Sequence, residues 1–215
     1  PRPARGEYIE GALSESFATG VFKNVLHYDV ASLYPSLMLV IGKCPRNDYL
    51  GVFLDELRKL REYRLKYKKL ARETTDKSLR REYDARQKSY KILINSFYGY
   101  LGLSTATFGD ASLASEITSA GRELLVKLID FFAAQGCVVL EADTDGIYLS
   151  SEKYFENPLG LLERASSVLP QGVDLDFDGK FDAMLCYKAK NYALLENGKI
   201  TLRGSAFRNR ATEPY

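Results

Sequence analysis

The sequence predicts an α+β fold: an antiparallel sheet, helices covering one of its faces, and an antiparallel helical hairpin projecting from it. Three observations carry that prediction. Asp143-Thr144-Asp145 separates two short apolar runs, 136–142 and 146–149, and so reads as the tip of a tight β-hairpin. Between about residues 49 and 98 apolar residues recur at helical spacing in two stretches, interrupted by Thr74-Thr75-Asp76. The C-terminal part alternates apolar runs with turn residues, among them Asn197-Gly198.

In chain order, residues 6–30 look strand-like, with turns at Gly11 and Gly20. A short helix over 34–40 has Pro35 near its first turn. The first long helix, 49–71, lines up Leu50, Phe53, Leu54, Leu57, Leu60, Tyr63, Tyr67 and Leu70, and its hairpin partner covers 79–98. A third long helix spans 111–135, where Gly136 is placed to end it. After the Asp143-Thr144-Asp145 hairpin, Asn157 can cap and Pro158 can open a helix over 157–169. Strands over 173–177, 183–187, 192–195 and 200–203 complete the chain.

With 215 residues, 46% of them hydrophobic, the chain can build one sizeable core with a subdomain. It has no apolar run of about 18 residues and no signal-peptide pattern, so no membrane span is expected. Its start at Pro1 and its end after an Arg-rich segment lead us to expect an excised part of a longer protein. The three cysteines, Cys44, Cys137 and Cys186, form no CxxC pair, which argues for a reducing compartment and against a zinc site. The single histidine, His27, is expected to be an ordinary packed or surface residue. Net charge is only +2, but basic residues outnumber acidic ones over 58–91, with Arg58, Lys59, Arg61, Arg64, Lys66, Lys68, Lys69 and Arg72 among them. Such a run is either a solvated helix face or a polyanion surface.

The chemistry starts from carboxylates. Asp29 ends the apolar run Val25-Leu26-His27-Tyr28, and Asp143 and Asp145 sit at the tip of their own hairpin. Aspartates at converging strand ends suit hard cations such as Mg²⁺. A paired site of that kind serves phosphoryl transfer. On the second hairpin helix Lys91, Asn95 and Tyr98 fall at i, i+4 and i+7, on one face.

Three blocks now stand in order: Asp29-Val30-Ala31-Ser32-Leu33-Tyr34-Pro35-Ser36, Lys91-Ile92-Leu93-Ile94-Asn95-Ser96-Phe97-Tyr98-Gly99, and Asp143-Thr144-Asp145. Their order and spacing resemble motifs A, B and C of the B-family DNA polymerases, over roughly Gly20 to Arg210. The resemblance implies a polymerase palm over 1–48, helical-hairpin fingers over 49–99, and a second palm segment over 100–215 leading toward a thumb. It implies template-directed transfer of a nucleotidyl group from a dNTP to a primer 3′-OH by a two-metal mechanism, with Mg²⁺ as cofactor and Mn²⁺ as substitute. The catalytic set carried over is Asp29, Asp145, Asp143 and Lys91. Metal ligands would be Asp29, Asp145, Asp143 and the Val30 carbonyl. For the nucleotide, N–H groups of Ser32, Leu33 and Tyr34 would cradle phosphates, and the Tyr34 ring would exclude a 2′-OH. Arg64 and Lys68, with Lys91 and Asn95, would complete that set; Arg61 is the alternative if the register shifts by a turn.

DNA contacts are implied at Tyr98, Gly99, Thr144, Lys190, Tyr192 and Arg208. Lys188-Ala189-Lys190-Asn191-Tyr192 resembles the family's KKxY segment, with Ala189 where the family has a lysine. Two further departures stand out. Gly146 follows Asp145 where the family usually has Ser, which would loosen the strand. Tyr8-Ile9-Glu10-Gly11-Ala12 only partly matches the family's loop ahead of motif A. Implied partners are primer-template DNA, dNTPs, and exonuclease and thumb domains, in a nucleoid, cytoplasmic or nuclear setting; no clamp is assigned. The rival reading is a non-catalytic nucleic-acid-binding palm with a degenerate metal site, which Gly146 favours.

Overall fold

The computed structural model describes residues 11–207. These fall into two compact units, one holding Ser32–Ala120, the other Gly11–Ala31 with the described residues from Gly121 onward. Arg208 and Arg210, and the first part of the loop at residues 8–12, lie outside the described residues.

The first unit is helical. Helix α1 (Leu33–Ile41) is short and apolar, and Gly42 ends it in the left-handed region at φ 67°. Helices α2 (Val52–Glu73) and α3 (Lys77–Leu101) form the hairpin. Asp48 anchors the start of α2 by accepting from the Val52 and Phe53 N–H groups at 3.0 and 2.8 Å. Asp76 does the same for α3 through Ser78 and Leu79, at 2.7 and 3.1 Å, which places the interhelix turn at Thr74-Thr75-Asp76. Tyrosines close the hairpin: Tyr63 stacks on Tyr90 at 5.7 Å, Tyr90 on Tyr67 at 5.8 Å, and Tyr67 packs on Tyr83 at 5.9 Å. Helix α4 (Ala111–Ala134) starts in this unit, where the buried Asp110 accepts from the Leu113 N–H, and its residues from Gly121 belong to the other unit.

The second unit is built on one sheet. Strands β1 (Ser14–Ser16), β2 (Gly20–Val30), β3 (Val138–Asp143), β4 (Gly146–Ser150), β5 (Leu175–Lys188), β6 (Asn191–Glu196) and β7 (Lys199–Arg203) pair in the order β1-β3-β4-β2-β5-β6-β7. Every pairing is antiparallel. Asn197 and Gly198 both have positive φ, as a two-residue hairpin turn between β6 and β7 requires.

Side chains alternate across β2. Tyr28 faces helices: its ring stacks on Phe132 of α4 at 5.3 Å, and its hydroxyl donates to the Pro158 carbonyl at 2.8 Å. Pro158 opens helix α6 (Pro158–Ser166), whose first turn Asn157 caps through the Gly160 N–H. Val25 belongs to the other face, where it joins Leu140, Tyr148, Met184, Cys186, Tyr192 and Leu194 in a buried cluster.

One expectation is corrected, and one element is added that the sequence reading did not include. The strands predicted at 173–177 and 183–187 are parts of one 14-residue strand, β5. Asp178-Gly179 looks like a turn in sequence, but β5 instead bulges there: His27 pairs with Gly179 and Tyr28 with Phe177, leaving Asp178 as the extra residue. A four-residue helix, α5 (Glu152–Phe155), also precedes α6; Ser151 caps it, and it is too short to show periodicity.

Candidate active site

Asp29 and Asp143 stand at neighbouring strand ends of the second unit, with Asp145 in the turn between β3 and β4. Asp29 pairs with Gly146 across β2–β4, and Asp143 pairs with Gly146 across β3–β4. The Val30 N–H donates to the Asp145 carbonyl at 2.8 Å, and the Asp145 N–H donates to the Asp143 carbonyl at 2.8 Å. The backbone thereby draws the Asp29-Val30 and Asp143-Thr144-Asp145 segments to one end of the sheet. Thr144, at the tip, has φ 66°, rare for a β-branched residue; its N–H donates to the Leu13 carbonyl and its hydroxyl to Asp143 Oδ1.

Among the described residues, no three His, Cys, Asp or Glu side chains already form a metal-sized cluster. The donors nevertheless fit a hard divalent ion: carboxylates and a backbone carbonyl, with no sulfur or imidazole required. Asp143 already draws a cation, since Lys190 Nζ lies 3.1 Å from its Oδ1.

Lys190 sits in the turn between β5 and β6 with φ 61°. Its N–H donates to Glu141 Oε1, a fully buried carboxylate whose pKa is raised because burial penalises its charged form. In sequence Glu141 stands only as one member of an apolar run, and its partner lies on another hairpin. Tyr192 follows Lys190, and its ring is buried in the sheet core, 5.1 Å from Tyr148, with its hydroxyl donating to the Tyr148 hydroxyl at 3.3 Å. Lys188 stays exposed.

The structure gives Gly146 a reason. His27 stacks on Tyr148 at 4.0 Å with the rings 8° apart, and its Nδ1 is 3.1 Å from Asp178 Oδ2. A Cβ at Gly146 would come within 2.6 Å of His27 Nε2. Burial lowers the His27 pKa despite the Asp178 carboxylate beside it. His27 is thus a packed residue, as expected from sequence, while Gly146 is the position that makes room for it. Gly146→Ser should destabilise the fold by about 1–3 kcal/mol, and His27→Ala should relieve most of that cost, as read from a double-mutant cycle by denaturant unfolding. A Gly146→Ser chain as stable as the parent would show that the ring yields freely.

The first unit gathers a second set. Ser32 precedes α1 with φ 50° and ψ 55°, and no side chain caps that helix start. The Ser32 hydroxyl instead accepts from Arg64 Nη1 at 3.1 Å, which brings α2 onto the loop ahead of α1. Tyr34 stacks on Tyr98 at 4.3 Å, and Tyr98 is tied through its hydroxyl to Thr118, which in turn donates to the Ala114 carbonyl. Leu33 is buried. Lys91 and Asn95 are exposed on α3, on the face that carries Tyr98, and a methyl at Gly99 would meet nothing within 4 Å. Lys68, one turn after Arg64, lies among other cations nearer the hairpin turn. Of the five non-glycine residues with positive φ among those described, Ser32, Thr144 and Lys190 are all predicted site residues. Backbone strain of this kind gathers at functional sites.

Known proteins share this architecture. The structure of the family B DNA polymerase from the hyperthermophilic archaeon Pyrobaculum calidifontis superposes with a TM-score of 0.72 at 23% identity, over 94% of this chain and 30% of that one. The fold is that of a polymerase domain combining helices with an antiparallel sheet. Residues 45–204 match the model of DNA polymerase family B, and the chain belongs to that family. It is 30% identical over 228 residues to a DNA polymerase of Thermococcus sp. (strain 9oN-7), covering 93% of this chain and 29% of that protein. It is 29% identical over 225 residues to DNA polymerase 1 of Pyrococcus abyssi, with 92% and 29% covered. A match to the DNA polymerase alpha catalytic subunit of Xenopus laevis, 29% identical, covers 89% of this chain and 15% of that one. The chain therefore spans less than a third of the length of these relatives. No helix among the described residues is long and apolar enough to cross a membrane.

Proposed function

We propose that this chain is the palm and fingers core of a template-directed DNA polymerase, adding nucleotidyl groups from dNTPs to a primer 3′-OH. The observation that carries the reading is the meeting of the Asp29-Val30 and Asp143-Thr144-Asp145 segments at one end of the sheet, held by the Val30 N–H on the Asp145 carbonyl. In this reading residues 1–48 and 100–215 are palm and 49–99 are fingers.

Asp29, Asp145 and the Val30 carbonyl would hold two divalent ions, Mg²⁺ or Mn²⁺, with Asp143 as a further ligand once Lys190 yields. Such ions lower the pKa of the 3′-OH and offset charge on the departing pyrophosphate. The chain's own residues do the rest. N–H groups of Ser32, Leu33 and Tyr34 orient the β- and γ-phosphates at the start of α1. Arg64, Lys68 and Lys91 neutralise the triphosphate, and Asn95 faces the nascent base pair. Tyr98, Gly99, Thr144, Lys190 and the Tyr192 strand, with Arg208, track the primer-template duplex by contacts that read no sequence.

Tyr34 is the sugar gate. Its ring is braced by Tyr98, so it has little freedom to step aside for a 2′-OH. Tyr34→Ala should weaken discrimination against ribonucleotides by about tenfold or more, measured as the ratio of kcat/KM for dNTP and rNTP. Discrimination equal to the parent would remove the gate from this residue.

The test of the whole reading is equilibrium binding of a fluorescent dNTP with and without Mg²⁺ or Mn²⁺. Metal-dependent binding is expected, and Asp145→Asn should abolish it. Duplex binding without metal-dependent dNTP binding would instead favour a non-catalytic nucleic-acid-binding palm.

A further inference from the structure

The turn end of the α2–α3 hairpin holds a cleft of about 440 Å³ whose lining includes Lys68, Arg72, Arg80 and Arg81, with Asp84 as its single carboxylate. Elsewhere on the hairpin five cations have carboxylate partners: Arg58 with Asp55, Lys59 with Glu56, Lys69 with Glu73, Arg86 with Glu82, and Lys88 with Asp84 at the edge of the cleft. In the cleft the pattern changes. Among the described residues Lys68, Arg72 and Arg81 have no carboxylate within ion-pair distance, and Arg80 spends its Nε on the Ala71 carbonyl at 3.1 Å. Asp84 is bound by Lys88 at 2.6 Å and by Gln87 at 2.9 Å, hydrogen bonds that hold its pKa below the usual range.

The helix dipole makes the arrangement costlier. Arg72 lies in the last turn of α2, where a cation is favoured, but Arg80 and Arg81 lie near the start of α3, where the dipole opposes positive charge. No acidic residue occupies the first turn of α3. A solvated helix face would pair or disperse these charges; here they concentrate in a concavity.

We propose that this cleft binds the phosphates of a single-stranded nucleic-acid segment. Lys68 and Arg72 are one helical turn apart on α2, and Arg80 and Arg81 face the cleft from α3, so the cations extend beyond what one phosphate group can use. Contacts of this kind are sequence-independent and salt-sensitive. The inference rests on the polymerase reading for the class of its ligand, and places a strand contact outside the residues assigned to metal, triphosphate and duplex, Lys68 alone being shared.

The experiment is fluorescence anisotropy of a labelled oligodeoxythymidylate with the 215-residue chain across a salt series. Arg72→Ala/Arg81→Ala should lower affinity about tenfold at low salt and reduce the log–log salt slope by about 1.4, at roughly 0.7 for each phosphate no longer neutralised. Arg58→Ala/Lys59→Ala removes the same charge from ion-paired positions on α2 and should change affinity less than about twofold. Equal losses in the two variants would overturn the proposal, leaving only a general charge effect. Displacement of the oligonucleotide by polyglutamate of matched charge as effectively as by unlabelled strand would also overturn it, pointing to an acidic protein surface. Metal-dependent dNTP binding is measured on the same variants. If it persists while Arg72→Ala/Arg81→Ala leaves strand affinity intact, only the cleft fails; if the parent chain binds no dNTP yet the cleft variant loses strand affinity, only the polymerase reading fails.

Discussion

Asp145→Asn is expected to reduce nucleotide addition by at least about a hundredfold while leaving the fold intact. The two effects separate because the bonds that tie Asp145 to Val30 and Asp143 are made by its main chain. Its carbonyl accepts the Val30 N–H, and its N–H donates to the Asp143 carbonyl, so neither bond depends on the side chain. Asn keeps the shape and loses the charge a divalent ion requires. Primer extension on the longest polypeptide that carries this chain, run beside a denaturant melt, measures both. Synthesis above a tenth of the parent's would remove Asp145 from the catalytic set. Asp29→Asn should behave the same way. Asp143→Asn should be milder, because Asp143 already shares its charge with Lys190.

Phe132→Ala is expected to have the largest effect on stability, about 3–5 kcal/mol. Phe132 is fully buried and stacks on Tyr28, the residue next to Asp29 on β2. Removing its ring opens a cavity between α4 and the sheet that the Tyr28 hydroxyl, held on the Pro158 carbonyl, resists filling. The denaturation midpoint should fall with the slope unchanged. Val126→Ala, on an exposed position of the same helix, should stay within about 0.5 kcal/mol. A loss below about 1 kcal/mol for Phe132→Ala would mean that α4 contributes little to holding β2.

Features encoded locally were legible in the sequence, and those depending on distant partners were not. The hairpin at Asp143-Thr144-Asp145, the two hairpin helices and the turn at Asn197-Gly198 each announce themselves through short-range pattern and turn chemistry. The unity of β5 does not, because Asp178-Gly179 is turn-like in composition and only pairing with His27 and Tyr28 makes it a bulge. Much the same holds for the site. Motif spacing exposes the aspartates and the Lys91–Asn95–Tyr98 face. It cannot expose Glu141 under Lys190, Arg64 on Ser32, or Tyr34 on Tyr98, since each joins residues far apart in the chain. Gly146 shows the difference most clearly: taken alone it loosens a strand, and beside His27 it fills a steric need.

That steric need reaches beyond this one chain. Because the space at position 146 is taken by the ring at position 27, the two positions are free to change only together. Across related chains they should covary: a side chain at 146 wherever 27 is smaller or turned aside, and glycine wherever 27 keeps a large ring. A lineage exchanging one for the other would pass through a poorly packed intermediate, with either a collision or a void beside Asp29 and Asp143, so the order of the two substitutions would be constrained.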